Sequence, residues 1–414
     1  MKTQKYTKGV KYMKKRVVSL FLTVIMLFTV LTPAFAYAKS STPVWDKYSK
    51  SGSHKVSSFT FKLKDNDFTY KVWYPKDIAK MSKRPVILYC NGTSSNYIKS
   101  PDTVKYLKKA ASHGFVCLTN TDENTGMGTS MNAGMDALIR FNKKKNHKLY
   151  NKLNLNKVGL AGHSQGATCC LNLASKGNYA NRKYFKAIYA CSLPTPQLEA
   201  SPIQNCPYDA SLVSLPTLMI SGTGATDNAF ISPIETSLRP AFAKLSGEVI
   251  MARMKDVEHA DSIMQTHPYM IAWFAYKLCG NKTAAKAFIG KSPELKTSSK
   301  MQDYRRKLYC KKTDFTTVKA GASSIKAAWK TVGNAAGYQL QYSTDKKFAA
   351  KASKAVFITN KKTSKKTIKN LKANKTYYVR IRAYRTLYGK KSYSKWSKVQ
   401  VVTTKQSKLT AGLS

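Results

Sequence analysis

Val158-Gly159-Leu160-Ala161-Gly162-His163-Ser164-Gln165-Gly166-Ala167-Thr168-Cys169-Cys170-Leu171 is the stretch that decides the fold of this 414-residue chain. Val158–Ala161 is a short apolar run of the kind found in strands buried on both faces. From Gln165 the pattern turns helical and predicts a helix over 165–175. A Gly-x-Ser-x-Gly pentapeptide alone is common by chance. Between a buried strand and a helix it becomes a tight turn, in which Gly162 and Gly166 let the two elements approach closely and Ser164 projects at the carboxyl edge of a sheet. The helix N-terminus beneath Ser164 favours negative charge developing there.

The neighbouring sequence repeats the strand signal. Pro85–Cys90, Phe115–Leu118, Ala187–Cys191, Thr217–Ile220 and Val249–Ala252 are further apolar runs. Helical patterns at Thr103–Ser112, Met131–Asn142, Ile234–Leu245 and Pro268–Cys279 alternate with them. Such alternation predicts an α/β domain with a doubly wound, mostly parallel sheet and right-handed crossovers. Ser58–Leu63 and Phe68–Tyr74 alternate apolar and polar residues and predict half-buried antiparallel strands at its start. Residues 39–57 read as a loose polar segment. From Thr313 the composition changes to short strands with turn residues and no helical period, predicting an all-β sandwich over 313–404 and a tail over 405–414.

Charge and cysteines constrain the setting. Lys and Arg number 71 against 20 Asp and Glu, a formal net charge of +51. Residues 1–38 carry seven of those cations and no acid, then the apolar run Val17–Leu31 and Ala34-Phe35-Ala36-Tyr37-Ala38. This is the pattern of a secretory signal peptide cleaved after Ala36 or Ala38. A retained anchor is the competing reading, but the run falls short of the roughly 20 residues a spanning helix needs. The expected product is an extracellular monomer without a membrane span. Its charge suits either adhesion to an anionic cell-wall polymer or polysaccharide, or a plain lysine-rich solvated surface. Nucleic acid is not an expected partner, because the lysines are spread along the chain and export removes it from the genome. Export permits disulfides, and Cys191–Cys206 and Cys279–Cys310 are candidate pairs among the eight cysteines. No Cys-x-x-Cys pair or acidic metal loop appears, so neither metal nor cofactor is expected.

A serine hydroxyl needs a base to take its proton and an acid to orient that base, in the chain order Ser, acid, His for such a fold. Downstream of Ser164 stand two histidines. His259, in the loop after Val249–Ala252, can reach back over the sheet edge. His267 precedes Pro268 and reads as a helix start. Asp227 follows the preceding strand and is the expected acid. Asp256 shares a loop with His259 and is badly placed to orient it. The oxyanion of a tetrahedral intermediate needs two backbone amides. Gln165 supplies one, and Thr93 in the turn Asn91-Gly92-Thr93-Ser94 the other. Thr93, His163 and Leu193 are expected to line the substrate groove. His113, ahead of Ser164 in the chain, reads as structural, and Met127, Met131 and Met135 read as packing.

Residues of about 58–310 resemble the bacterial cutinase-like, polyester-hydrolase and lipase branch of the α/β hydrolases. The resemblance rests on Pro85–Thr93, Ala111–Val116, Gly162–Gly166, Pro216–Gly222 with Asp227, the His259 loop and Ala272-Trp273-Phe274. It implies Ser164, Asp227 and His259 as a catalytic triad, with Thr93 and Gln165 as oxyanion donors. Thr93 stands where that family usually has an aromatic residue, Ala167 follows Gly166 in place of a second glycine, and Ser192-Leu193-Pro194-Thr195 stands where a Trp is common. Residues 313–404 resemble fibronectin type III modules through Trp329, Gly337–Tyr342, Tyr377–Tyr384 and Ser394-Lys395-Trp396-Ser397. The expected activity is hydrolysis of carboxylic esters, polymeric ones included. Alternatives are a carbohydrate esterase removing acetyl or feruloyl groups, and an inert adhesion scaffold. The module is expected to act as spacer, polymer binder or surface anchor.

Overall fold

A computed structural model describes residues 42–406 apart from 97, 99, 334, 388 and 389, and apart from the side chains of 103, 387 and 390. The expected leader and most of the expected tail lie outside the described residues. Among those described, no helix is long and apolar enough to cross a membrane.

The central sheet has nine strands in the order β1-β2-β4-β3-β5-β6-β7-β8-β9. They are β1 (Val56–Leu63), β2 (Asn66–Pro75), β3 (Arg84–Cys90), β4 (Val116–Asn120), β5 (Leu153–His163), β6 (Phe185–Cys191), β7 (Thr217–Gly222), β8 (Val249–Met254) and β9 (Met301–Lys307). β4-β3-β5-β6-β7-β8 pair in parallel, while β1, β2 and β9 add antiparallel edges. Each expected apolar run lies in one of these parallel strands. The reason is visible along β3: Ile87 and Tyr89 enter the core on one face, Val86, Leu88 and Cys90 the core on the other. A strand covered on both sides has no polar side to display.

Helices cover both faces. α1 (Pro43–Ser49), α2 (Pro101–Ser112) and α7 (His259–Cys279) pack on one, with Tyr106, Trp273 and Phe274 buried. α3 (Thr129–Lys143), α4 (Gln165–Ala174) and α6 (Arg239–Lys244) pack on the other, with Met131, Met135, Leu138 and Leu171 buried. α5 (Pro196–Glu199) is a single turn after β6. Met127, expected in the core or a pocket, is exposed and lies outside the core.

Several expectations need correction. The segment 39–57 is not loose throughout. α1 buries Val44 and Tyr48, and the Glu294 carboxylate accepts the amides of Val44 and Trp45 at 2.8 and 2.9 Å, capping the helix from a distant part of the chain. The helix expected over Ile234–Leu245 forms, but its first turn, Ile234–Leu238, is a wider π-helix that runs on into α6 at Arg239. His267 does not open a helix but sits within α7. Pro268 has no N–H to give the Met264 carbonyl, and His267 Nδ1 takes that carbonyl at 2.7 Å. β9, polar in sequence, gave no strand signal. It forms because β8 offers it an open edge and Glu248 holds Arg306 at 2.8 Å.

Neither expected disulfide is present, and all eight cysteines are free thiols. Cys191 instead contacts Ser262 at 3.3 Å, and Cys206 donates to Glu199 Oε2 at 2.8 Å. Cys279 is exposed at the end of α7, while Cys310 is buried in the C-terminal core.

The C-terminal module forms two sheets, β10-β11-β14 and one built around β13-β12-β15-β16 with β17 paired to β15. The strands are β10 (Phe315–Ala320), β11 (Ile325–Trp329), β12 (Gly337–Ser343), β13 (Ser353–Ile358), β14 (Lys365–Ile368), β15 (Thr376–Leu387), β16 (Lys390–Tyr393) and β17 (Gln400–Thr403). They enclose Trp329, Tyr338, Leu340, Val379 and Ile381. The last strand starts only at Gln400, because the hydroxyls of Ser394 and Ser397 accept the Ala383 and Ile381 amides that an earlier start would have taken.

Candidate active site

Ser164 stands at φ +56°, ψ −129° between β5 and α4. A non-glycine residue there carries backbone strain of order 1–3 kcal/mol, which surrounding packing must hold. The two flanking glycines are a steric requirement. A Cβ on Gly162 would lie 2.1 Å from the Gly166 carbonyl oxygen, and one on Gly166 would lie 2.1 Å from that of Cys90. Strand, turn and helix therefore pass at backbone contact, and Ser164 is left partly exposed at the sheet edge.

Asp227, on the loop after β7, is fully buried and accepts three hydrogen bonds. His259 Nδ1 donates to Oδ1 at 2.7 Å, and Ser192 Oγ and the Gly222 amide donate to Oδ2 at 2.6 and 3.0 Å. Burial alone raises its carboxyl, but the imidazole of His259 and these donors outweigh it and hold Asp227 below its ordinary value. The bond to Asp227 fixes the proton of His259 on Nδ1 and leaves Nε2 as the acceptor.

His259 opens α7 beside the turn that carries Ser164. Its ring centre lies 4.5 Å from that of His163, and its backbone carbonyl accepts His163 Nε2–H at 2.9 Å. Burial, then the neighbouring His259, push His163 down to about 3, so it is a neutral ring that bears its proton on Nε2. Ser164 Oγ makes no hydrogen bond among the described residues, and such nucleophile–base contacts are commonly long before substrate arrives. The excluded Asp256 lies exposed, with its amide on Thr223 Oγ1 at 2.9 Å.

The two expected oxyanion amides, Thr93 and Gln165, donate to no acceptor among the described residues. Their loops touch, since a Cβ on Gly92 would lie 3.3 Å from Ser164 Cβ. Asn91 pins the first loop from inside the fold. Its Nδ2 donates to the carbonyls of Asn120 and Asp122 at 2.7 and 2.8 Å, and its own carbonyl accepts Thr125 Oγ1 at 2.6 Å. Gln204 joins the two loops from above. Its Oε1 accepts Thr93 Oγ1 at 3.0 Å and Gln165 Nε2 at 2.7 Å. Of the expected groove residues, Thr93 is exposed and His163 is buried against the base. Leu193 is fully buried in the core on the α4 side and lines no groove, because the chain turns inward after Ser192 at φ +47°.

Three functional residues carried no sequence signal. Ser192 holds Asp227 and meets Ser262 Oγ at 2.8 Å, Glu258 accepts the Ala225 amide at 2.8 Å beside the acid, and Gln204 bridges the oxyanion loops. Serine and glutamine are common in loops, and only the spatial meeting marks these. Ser192 is a positioning residue for the acid. Hydrogen bonds to charged groups contribute about 1.5–3 kcal/mol. Ser192→Ala is expected to lower kcat/KM roughly tenfold or more, at about 1.4 kcal/mol per factor of ten. Losing a donor that holds Asp227 down should also move the acid limb of the pH–rate profile upward, where a packing defect would lower the plateau alone.

Glu199 anchors the segment that carries Gln204. It is 1% exposed, and burial raises its carboxyl to about 7 despite the hydrogen bond from Cys206. A folded-state value above that of the unfolded chain means stability that is complete below about 4.3 and fades as pH rises through 7. The wild-type melting temperature should therefore fall between pH 5 and 8 relative to that of Glu199→Gln, measured by calorimetry across that range.

Residues 313–400 match the family model described as fibronectin type III domain. The C-terminal module is a domain of that kind. A search of curated proteins finds no match for the chain.

Proposed function

We propose that the protein is a serine hydrolase of carboxylic esters, built on an α/β-hydrolase fold and acting through an acyl-enzyme on Ser164. The observation that carries this reading is the His259 Nδ1–Asp227 Oδ1 bond of 2.7 Å, from a fully buried acid to a base lying against the strained serine turn. The strand order β1-β2-β4-β3-β5-β6-β7-β8, with the nucleophile after β5, the acid after β7 and the base after β8, supports the fold.

In this mechanism His259 Nε2 takes the Ser164 proton as Oγ attacks the ester carbonyl. The Thr93 and Gln165 amides receive the oxyanion, and Asp227 balances the imidazolium. His259 then protonates the departing alcohol. Water, activated by the same ring, releases the acid. Phe230, on the acid loop, and Ile203, beside Gln204, are 48% and 46% exposed. Large apolar side chains on these two loops favour esters with apolar groups over hydroxyl-rich sugars. Residues 1–38 support export, and the extracellular setting is part of the same proposal.

A fluorophosphonate probe tests the catalyst against the inert scaffold. Labelling of the wild type that is lost in Ser164→Ala is the expected result, and an unlabelled wild type would overturn the reading. A panel of p-nitrophenyl esters, acetylated xylan, feruloyl esters and polyester film then sorts the substrate classes. Turnover confined to the polysaccharide esters would replace the apolar-ester assignment with the carbohydrate one.

A further inference from the structure

The fibronectin type III domain keeps two arginines for itself and, among the described residues, leaves its lysines without a carboxylate. Over 313–406 there are 22 Lys and Arg and two acids, Asp314 and Asp345. Asp314 pairs with Lys312 at 2.9 Å, and Asp345 accepts the Lys347 and Ala349 amides of its own turn. No carboxylate is left to neutralise the module. On the sheet around β12 and β15, two arginines are already occupied. The Arg380 guanidinium lies between Phe348 and Trp396, with its carbon 3.9 and 4.3 Å from the ring centres. Arg382 lies between Tyr393 and Trp396 at 3.8 and 4.2 Å. Gln341 and Gln339 accept their Nε–H groups at 2.8 Å each. This stack is a structural ladder.

The three-stranded sheet is different. Its register sets Lys319 directly opposite Lys326, Thr317 opposite Ala328, Lys326 opposite Thr367 and Ala328 opposite Lys365. With a two-residue period, Lys319, Lys326 and Lys365 share the outer face, and the small residues Thr317, Ala328 and Thr367 lie between them. Together with Lys366 they line a shallow concavity. Among the described residues none of these four lysines meets a carboxylate. Like charges directly opposite on neighbouring strands stand about 4.5–5.5 Å apart and destabilise the pair. An external anion of matching spacing would relieve the repulsion.

We propose that the outer face of β10-β11-β14 binds a linear poly(phosphodiester) of non-aromatic alcohols. Dense negative charge answers the lysine array. No residue lining the concavity is aromatic, so the face offers no platform for stacking a base or a flat sugar ring, and recognition falls to charge and to a floor low enough for a backbone to lie in. The proposal is independent of the hydrolase reading, because it uses no residue before 313.

Fluorescently tagged poly(glycerol phosphate) is the probe, with the full chain as binder and anisotropy as readout. The triple variant Lys319→Gln, Lys326→Gln, Lys365→Gln is compared with Lys346→Gln, Lys347→Gln, Lys351→Gln, which has the same net charge and alters exposed lysines elsewhere in the module. Thermal unfolding checks that both fold. The face variant should weaken binding at least tenfold, and the slope of log Kd against log salt should fall by about two, as expected for three lost ion contacts. The control should change less than twofold. Equal weakening in both variants, or no binding by the wild type, overturns the site. Tighter binding of polygalacturonate or single-stranded DNA than of poly(glycerol phosphate) overturns the ligand class.

Discussion

Ser164→Ala is expected to lower ester turnover by about 10⁴–10⁶, with substrate affinity little changed. The residue left behind is a methyl group at the apex of the β5–α4 turn. The Gln165 and Thr93 amides remain, so a tetrahedral species formed by water still finds its oxyanion donors, and a residual rate above that in free solution should persist. The substitution removes no hydrogen bond among the described residues and keeps the Cβ, so the fold should hold. Single-turnover kinetics with an activated ester are the measurement. The wild type should release a stoichiometric burst of alcohol, and the variant none. A variant that retained the burst would place the nucleophile elsewhere.

Asp227→Asn carries the second large effect, and the site dictates its sense. Ser192 Oγ–H and the Gly222 N–H both donate toward the same side of the carboxylate. An asparagine must therefore put its carbonyl oxygen there and turn its NH2 toward His259 Nδ1. A donor facing Nδ1 forces that nitrogen to accept, and the ring proton moves to Nε2. The nitrogen facing Ser164 then has no lone pair with which to take the hydroxyl proton. A loss of about 10⁴ in kcat near neutral pH follows, with KM little altered. Removing the Ser192 donor as well, in Asp227→Asn with Ser192→Ala, leaves the Gly222 N–H facing the same side, so the amide stays as it is and the loss should persist. Recovery of activity in the double variant would show that Ser192 alone sets the orientation of the amide.

How much of this was legible in the sequence follows from where the information lies. The parallel strands were readable because two-sided burial leaves apolar runs, and Ser164 was readable because a glycine-flanked serine between strand and helix has few other uses. Asp227 and His259 followed from chain order, and the structure joins them. Ser192, Glu258 and Gln204 were not readable, since each acts through partners between 32 and 111 residues away, and no local pattern records such a meeting. α1 escaped because its cap, Glu294, is about 250 residues distant. His267 was misplaced because a proline usually opens a helix and here sits within one. The expected disulfides failed for a simpler reason: spacing says nothing about distance, and Cys206 found a carboxylate instead.

Seven of the eight thiols are buried, and burial drives those of Cys90, Cys117, Cys169, Cys170 and Cys191 upward. Thiolate, and not thiol, is what captures an electrophile. A soft alkylating reagent applied to the native protein therefore has one accessible target, Cys279, remote in sequence from the serine turn and itself raised by burial. A fluorophore can thus be attached at one end of α7, and a fluorophosphonate is the separate reagent that tests for acylation at Ser164, beside the other end.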